Sequence, residues 1–246
     1  MMVIPTGQEL TADSFFNGRI RIKQGRKGYR FSIDAVILAH HVRPRPDETI
    51  IDLGTGCGII PLILAYRHPG IHIRGIEIQP SLAEIARINV AENQLQACIE
   101  IDCLDLRTLE GQILVSPADI VTSNPPFRKR QSGRVNPNHQ SAVARHEIET
   151  TLEEVAAAAC RLLRTGGRFF VVYTADRTAD LLCGLRVAGI EPKRCRMVHS
   201  KRRSPARLVL VEAVKGARPG IELSPPLVIY HDDESYTDEI EAMFRP

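Results

Sequence analysis

Residues 48–58, ETIIDLGTGCG, decide the fold. An apolar run of strand character closes on Asp52-Leu53, glycines then stand at positions 54, 56 and 58, and the apolar stretch IIPLILAY follows through Tyr66. Glycines at a strand-to-helix turn carry no Cβ and tolerate unusual φ/ψ, so the backbone can approach a ligand closely. A nucleotide-type ligand is the candidate. A dinucleotide-binding loop needs G-x-G-x-x-G/A, but counting from Gly54 the last position is Ile59. A phosphate-binding loop needs Gly-Lys-Ser/Thr, and Gly58 is followed by Ile59-Ile60. No lysine stands there to meet phosphates.

Outward from this turn, the chain alternates strand and helix. Downstream come IHIRGIEI, a helix from Ser81 through Val90, ACIEID, ADIVTSN, a long irregular segment, a helix over about 151–163, GGRFFVVY and a helix over about 176–188. This alternation predicts a parallel sheet covered by helices on both faces. Two last strands, KRCRMVH and ARLVLVEAV, are joined by HSKRRSPA without a helix, so they run antiparallel and leave one reversed strand at or near the sheet edge. Upstream, Ser32 and Asp34 cap a helix through AVILAHHV that Pro44 stops, and RIRIK at 19–23, with GRKG and YRFS after it, reads as a β-hairpin. The predicted organisation is an N-terminal hairpin and helix over 1–47, a cofactor core over 48–214 and a C-terminal extension over 215–246.

Composition fits this picture. With 246 residues, 43% apolar and 25% charged, the chain can bury a full core and is not of a disordered or repeat class. Cys57, Cys98, Cys103, Cys160, Cys183 and Cys195 form no Cys-x-x-Cys pair, which points away from zinc and from a secreted disulfide frame. No leader-like start and no stretch of roughly 18 apolar residues occurs, so a cytoplasmic protein outside the membrane is expected, as a monomer rather than an oligomer. The net charge of +3 hides blocks of one sign: six basic residues over 19–30, four over 128–134, seven over 193–207, and six acids over 232–241. Such blocks suit either a polyanion-facing surface or solvated loops.

The D-x-G-x-G-x-G run (Asp52, Gly54, Gly56, Gly58) resembles the S-adenosylmethionine site of class I methyltransferases, and the mostly parallel seven-stranded sheet with one antiparallel strand is that Rossmann-like α/β fold. The ligand is cationic at sulfur and carries no phosphate, so an acid before the glycines makes electrostatic sense. Glu77 ends the second strand, 25 positions after Asp52, where a carboxylate can accept from both ribose hydroxyls. The resemblance implies that Asp105 meets the adenine amino group, Ile78 packs on the adenine face and the Leu106 N–H faces a ring nitrogen.

After the fourth core strand stand Ser123-Asn124-Pro125-Pro126-Phe127. N-P-P-F resembles the motif of methyltransferases acting on planar exocyclic or amide nitrogens. Such a nitrogen is a poor nucleophile because its lone pair is delocalised. With the Asn124 side-chain oxygen and the Pro125 carbonyl accepting its two N–H bonds, it is oriented toward the methyl group and its developing positive charge is stabilised. Pro125 and Pro126 fix the backbone that aims these acceptors, and Phe127 offers a face for an unpaired base. The motif supplies no general base before transfer, and none is needed.

KGYRFSIDAVILAHHV, DLGTGCGIIPLILA, SNPPF, SAVARHE and LVLVEAVKG together resemble the bacterial tRNA(Val) adenine-37 N6-methyltransferase family over nearly the whole chain. The specific parts are Tyr29-Arg30-Phe31 with Asp34, and Ala144-Arg145-His146-Glu147. The resemblance implies transfer of a methyl group to N6 of an anticodon-loop adenine, with tRNA as partner. The residues alone reach only a planar nitrogen. Candidate RNA contacts are Arg128, Lys129, Arg130, Arg145, Lys201, Arg202 and Arg203; Arg145 either meets phosphate or pairs with Glu147 or Glu149. His139 and His146 have no compact zinc spacing, and no metal is expected. Methylation of a protein glutamine amide and a non-catalytic RNA-binding module are the competing readings.

Overall fold

A computed structural model describes residues 9–26, 30–109, 117–125 and 150–245. Strands β1 (Leu10–Phe15) and β2 (Ile20–Gly25) form an antiparallel hairpin. Helix α1 (Ile33–His41) leads into a βα series: β3 (Thr49–Leu53), α2 (Ile59–Arg67), β4 (His72–Glu77), α3 (Pro80–Glu92), β5 (Ile99–Cys103) and β6 (Ala118–Ser123). Then come α4 (Leu152–Leu162), β7 (Leu163–Thr174), α5 (Thr178–Val187), β8 (Ile190–His199) and β9 (Ala206–Lys215). The short elements β10 (Glu222–Leu223), β11 (Leu227–Val228) and α6 (Asp238–Ala242) make up the C-terminal extension.

The seven long strands lie in the order β5-β4-β3-β6-β7-β9-β8. All pairings from β5 to β7 are parallel, and β9 alone runs against its neighbours β7 and β8. The reversed strand therefore sits one place in from the edge. β10 and β11 pair with β8 and lengthen that edge. Alternation with period two sorts the apolar residues: Ile50, Phe170, Val172 and Leu210 face α1–α3, while Ile51, Phe169, Val171 and Val209 face α4 and α5. Each face buries its own core. Thr151 starts α4 with a capping box, its hydroxyl accepting from the Glu154 N–H and the Glu154 carboxylate from the Thr151 N–H. Among the described residues no helix is long and apolar enough to cross a membrane.

One expected element is differently built. Residues 20–25 form a strand as predicted, but its partner is β1 before it, with Phe15 opposite Ile20, rather than YRFS after it. The turn falls on Phe16-Asn17-Gly18-Arg19, where the first three residues have φ of 51°, 54° and 83°. Asn-Gly is the stronger turn signal because it tolerates the left-handed region, and it outweighs the glycines of GRKG.

Two asparagines fasten this hairpin to the sheet domain. Asn89 is fully buried on α3; its amide donates to the Lys23 carbonyl (2.9 Å) and the Cys57 carbonyl (2.8 Å), and its oxygen accepts from the Lys23 N–H (2.7 Å). Asn93 does the same for Arg21, accepting from its N–H at 2.9 Å and donating to its carbonyl at 2.7 Å. Four residues of helix rise about 6 Å and two residues of strand about 6.8 Å, so an i,i+4 pair can clamp an i,i+2 pair of backbone groups. At the other side Phe15, Phe244, Tyr236 and Tyr230 stack successively at 5.6, 5.5 and 5.2 Å, joining the hairpin to the C-terminal extension.

Candidate functional site

The βα turn after β3 opens the site. Gly54 and Gly56 have φ of +73° and +60°, which a side chain would strain, and the N–H groups of Gly54 and Thr55 both donate to the Ile76 carbonyl (2.9 and 3.0 Å). The loop is thereby folded back onto β4, whose last residue is Glu77. One Glu77 oxygen accepts from the Gly56 N–H and the other from the Gln79 N–H, both at 2.9 Å. Burial raises its pKa and these backbone donors oppose the rise. Each oxygen keeps a further lone pair for a ligand hydroxyl.

On the far side, the Ser123 hydroxyl donates to the Leu53 carbonyl (2.9 Å), which fixes the end of β6 beside the end of β3. Asn124, half-buried, and Pro125, buried, follow directly. A cavity of about 270 Å³ lies between these strand ends. Gly54, Gly56, Glu77, Ile78, Asp105, Leu106, Asn124 and Pro125 line it, so the structure brings together eight of the predicted site residues. Asp105 accepts from the Arg107 N–H (2.9 Å) and guanidinium, and the guanidinium first of all holds its carboxyl below the usual range.

Asp52 and Gly58, both expected at the cofactor, are not in the wall. Asp52 is fully buried beneath the loop, where the Thr122 hydroxyl donates to Oδ1 at 2.7 Å and Oδ2 has no hydrogen-bond partner among the described residues. Burial pushes its pKa up to about 6 against the opposing hydrogen bond. Its place is the joint between β3 and β6. Gly58 starts α2 with φ of +84°, and a Cβ there would come within 3.3 Å of the Ala86 Cβ, so it serves close packing of α2 on α3. Pro126, Phe127, Arg128, Lys129, Arg130 and Arg145 lie outside the described residues.

The sequence reading missed part of the wall: Ser32, Asp34, Gln79, Leu82 and Thr150 also line the cavity. Ser32 and Asp34 had the signature of a helix cap, yet the Ser32 side chain makes no capping bond. Asp34 is turned inward, and burial raises its pKa. Among the described residues the cavity wall thus carries three carboxylates, Asp34, Glu77 and Asp105, and no lysine or arginine. A phosphate-bearing dinucleotide is repelled by such a wall. S-adenosylmethionine fits it: a net positive ligand with a ribose diol for Glu77, and a planar base for Ile78 and Leu106.

The basic blocks are less bare than their sequence suggests. Arg194 meets Glu212 and Glu222, Arg196 meets Glu239 in a two-pronged pair (2.7 and 2.9 Å), and Lys201 meets Glu234. In the hairpin Lys23 pairs with Glu92, Arg26 with Glu9 and Arg30 with Asp13. Of the acidic tail, Glu239 meets Arg196 of β8 and Glu234 meets Lys201 in the turn after it. Arg202 and Arg203 remain exposed, with no acid against them among the described residues. β8 runs parallel to β6, so their turn stands at the same end of the sheet as Asn124.

Comparison with known proteins agrees with this geometry. Residues 30–185 match the family model described as methyltransferase small domain. A curated relative from Porphyromonas gingivalis, named tRNA1(Val) (adenine(37)-N6)-methyltransferase, is 37% identical over 179 residues, covering 70% of this chain and 69% of the relative. A relative of the same name from Tolumonas auensis is 27% identical over 233 residues, covering 94% of each. The crystal structure of a predicted O-methyltransferase from Agrobacterium tumefaciens superposes with a TM-score of 0.68 at 20% identity, over 85% of this chain and 94% of that one.

Proposed function

The chain belongs to the methyltransferase small domain family, with the tRNA1(Val) adenine-37 N6-methyltransferases among its relatives, and from that premise we propose that it methylates N6 of adenine 37 in a valine tRNA. The observation that carries the proposal is the juxtaposition of Asn124-Pro125 with a cavity that bears three carboxylates and, among the described residues, no lysine or arginine.

S-adenosylmethionine supplies a methyl group made electrophilic by its sulfonium. Glu77 would hold the ribose diol, Asp105 and the Leu106 N–H would meet the adenine, and Asp34 would face the positive charge. The Asn124 oxygen and the Pro125 carbonyl accept the two N–H bonds of the adenine amino group and aim its nitrogen. As that nitrogen becomes positive the same two dipoles gain strength, so they stabilise the transition state more than the ground state. Their positions are set in advance by the Ser123–Leu53 hydrogen bond and the fixed φ of Pro125. The extra proton leaves to solvent after transfer. Arg202 and Arg203 add phosphate contacts at the same end of the sheet.

Incubation with isotopically labelled S-adenosylmethionine and separate RNA, protein and DNA pools tests the proposal. Label should appear in small RNA and, after digestion, in N6-methyladenosine. Label in protein glutamine, or RNA binding without any transfer, would overturn it.

A further inference from the structure

A second and larger cavity, of about 830 Å³, lies on the α1–α2 face of the sheet, between the C-terminal ends of those helices and the C-terminal extension. Six arginines line it: Arg43, Arg67, Arg168, Arg194, Arg196 and Arg245. Four are met by carboxylates, Arg168 by Glu48 and Arg245 by Glu241 besides the β8 pairs already described. Arg43 and Arg67 have no carboxylate partner among the described residues. Among the described residues the Arg67 guanidinium donates to the Ala39 carbonyl alone (3.2 Å), and the two charges repel each other across the rim.

The imidazoles beside them are also incomplete. Five buried side-chain polar atoms lack a hydrogen-bond partner among the described residues, and they fall at two places. Asp52 Oδ2 and Thr55 Oγ1 lie at the glycine loop; His40 Nε2 and His41 Nε2 belong to residues lining this cavity, and His68 Nε2 belongs to the residue after Arg67, outside the lining. A buried polar group left unpaired costs about 1–3 kcal/mol, so the two in the cavity wall call for an occupant. The negative ends of α1 and α2 account for basic residues gathering here, at about 0.3–1 kcal/mol each, but they supply nothing to the orphaned nitrogens.

We propose that this cavity is a binding site for a small phosphomonoester of nucleotide size, its phosphate held between Arg43 and Arg67 with the imidazoles of His40 and His41. The chemistry matches at each point. Guanidinium forks meet phosphate oxygens in pairs. Near neutrality a phosphomonoester is mostly a dianion, so its oxygens accept from an imidazole whose proton is on Nε2. Burial first, then the neighbouring guanidinium charges, keep both imidazoles neutral, with pKa values lowered to about 4. Ile37, Phe170, Leu210 and Leu227 supply apolar wall for the body of the ligand, and the volume lies in the range of small-molecule sites. No residue lines both this cavity and the cofactor cavity, so the two are distinct.

The test is calorimetric titration with adenosine monophosphate, inorganic phosphate and adenosine at constant ionic strength. The cofactor site is first saturated with S-adenosylhomocysteine so that the adenine cannot enter there. Adenosine monophosphate and phosphate should bind, adenosine should not, and the double variant Arg43→Gln/Arg67→Gln should weaken the nucleotide at least tenfold. Arg67→Lys, which keeps the charge and loses the fork, should fall between. Melting temperature and S-adenosylhomocysteine affinity should stay as in the parent, which separates loss of the site from loss of the fold. Equal binding of adenosine and its monophosphate, no binding of either phosphate compound at millimolar concentration, or undiminished binding by the double variant would each overturn the proposal. So would loss of anticodon-arm RNA affinity in that variant with displacement of the nucleotide by RNA, which would make the arginines RNA contacts.

Discussion

Replacing Asn89 with alanine removes a buried amide that joins three parts of the molecule. It holds α3 to β2 through both backbone groups of Lys23 and to the glycine loop through the Cys57 carbonyl. Truncation leaves one N–H and two carbonyls without these bonds in a region where the asparagine is fully buried. At about 1–3 kcal/mol for each buried group left unsatisfied, and with partial relief from water at the Lys23 side, the expected loss is about 3–4 kcal/mol. Asn93→Ala, at a half-buried position, should cost about 1 kcal/mol by the ordinary net value of a hydrogen bond. Urea unfolding followed by circular dichroism measures both. Because Cys57 lies in the loop, Asn89→Ala should also weaken S-adenosylhomocysteine binding, whereas Asn93→Ala should not. A loss below 1 kcal/mol for Asn89→Ala, or equal effects from the two asparagines, would refute the clamp.

Other expectations follow from the site. Asn124→Ala should slow methyl transfer by about 10² or more while leaving cofactor affinity within about twofold, as for removal of one preorganised polar group, and equal loss of both would make the residue structural. Asp34→Asn should weaken S-adenosylmethionine more than the uncharged-sulfur product S-adenosylhomocysteine in paired calorimetric titrations; equal weakening would move Asp34 away from the sulfonium. For Asp52 the folded state holds its proton more tightly than the unfolded chain, about 6 against 3.8, so stability falls as pH rises between these values. Asp52→Asn should therefore gain stability over the parent at pH 8, on the order of 3 kcal/mol at most, and little at pH 4, by thermal melting. Charge reversal at Arg202 and Arg203 should weaken RNA binding and flatten its salt dependence; an unchanged slope would return them to a solvated turn.

The parts of the fold that could be read ahead are those written locally. The glycine turn, Glu77 at a strand end and the missing helix before β9 each declare themselves within a dozen residues. The hairpin was only half legible, because two glycine-bearing turns flank β2 and Asn17-Gly18 prevails through its left-handed backbone. Asn89 and Asn93 look like a solvated helix face, since nothing in their spacing names the strand they clamp. Ser32 and Asp34 carry a capping pattern and stand in the cavity instead. The pairing of the acidic tail with β8 and the turn after it joins Arg196 to Glu239 and Lys201 to Glu234, tens of residues apart, and composition reports only their sum.

The central claim is that Asn124 and Pro125 present an RNA adenine to the cofactor cavity. Its most direct measurement is mass-spectrometric mapping of the methyl group on a valine tRNA treated with the parent protein and with Asn124→Ala. The account predicts N6-methyladenosine at position 37 with the parent and a loss of about a hundredfold with the variant. Methyl on another nucleoside, or an undiminished yield from Asn124→Ala, would contradict it.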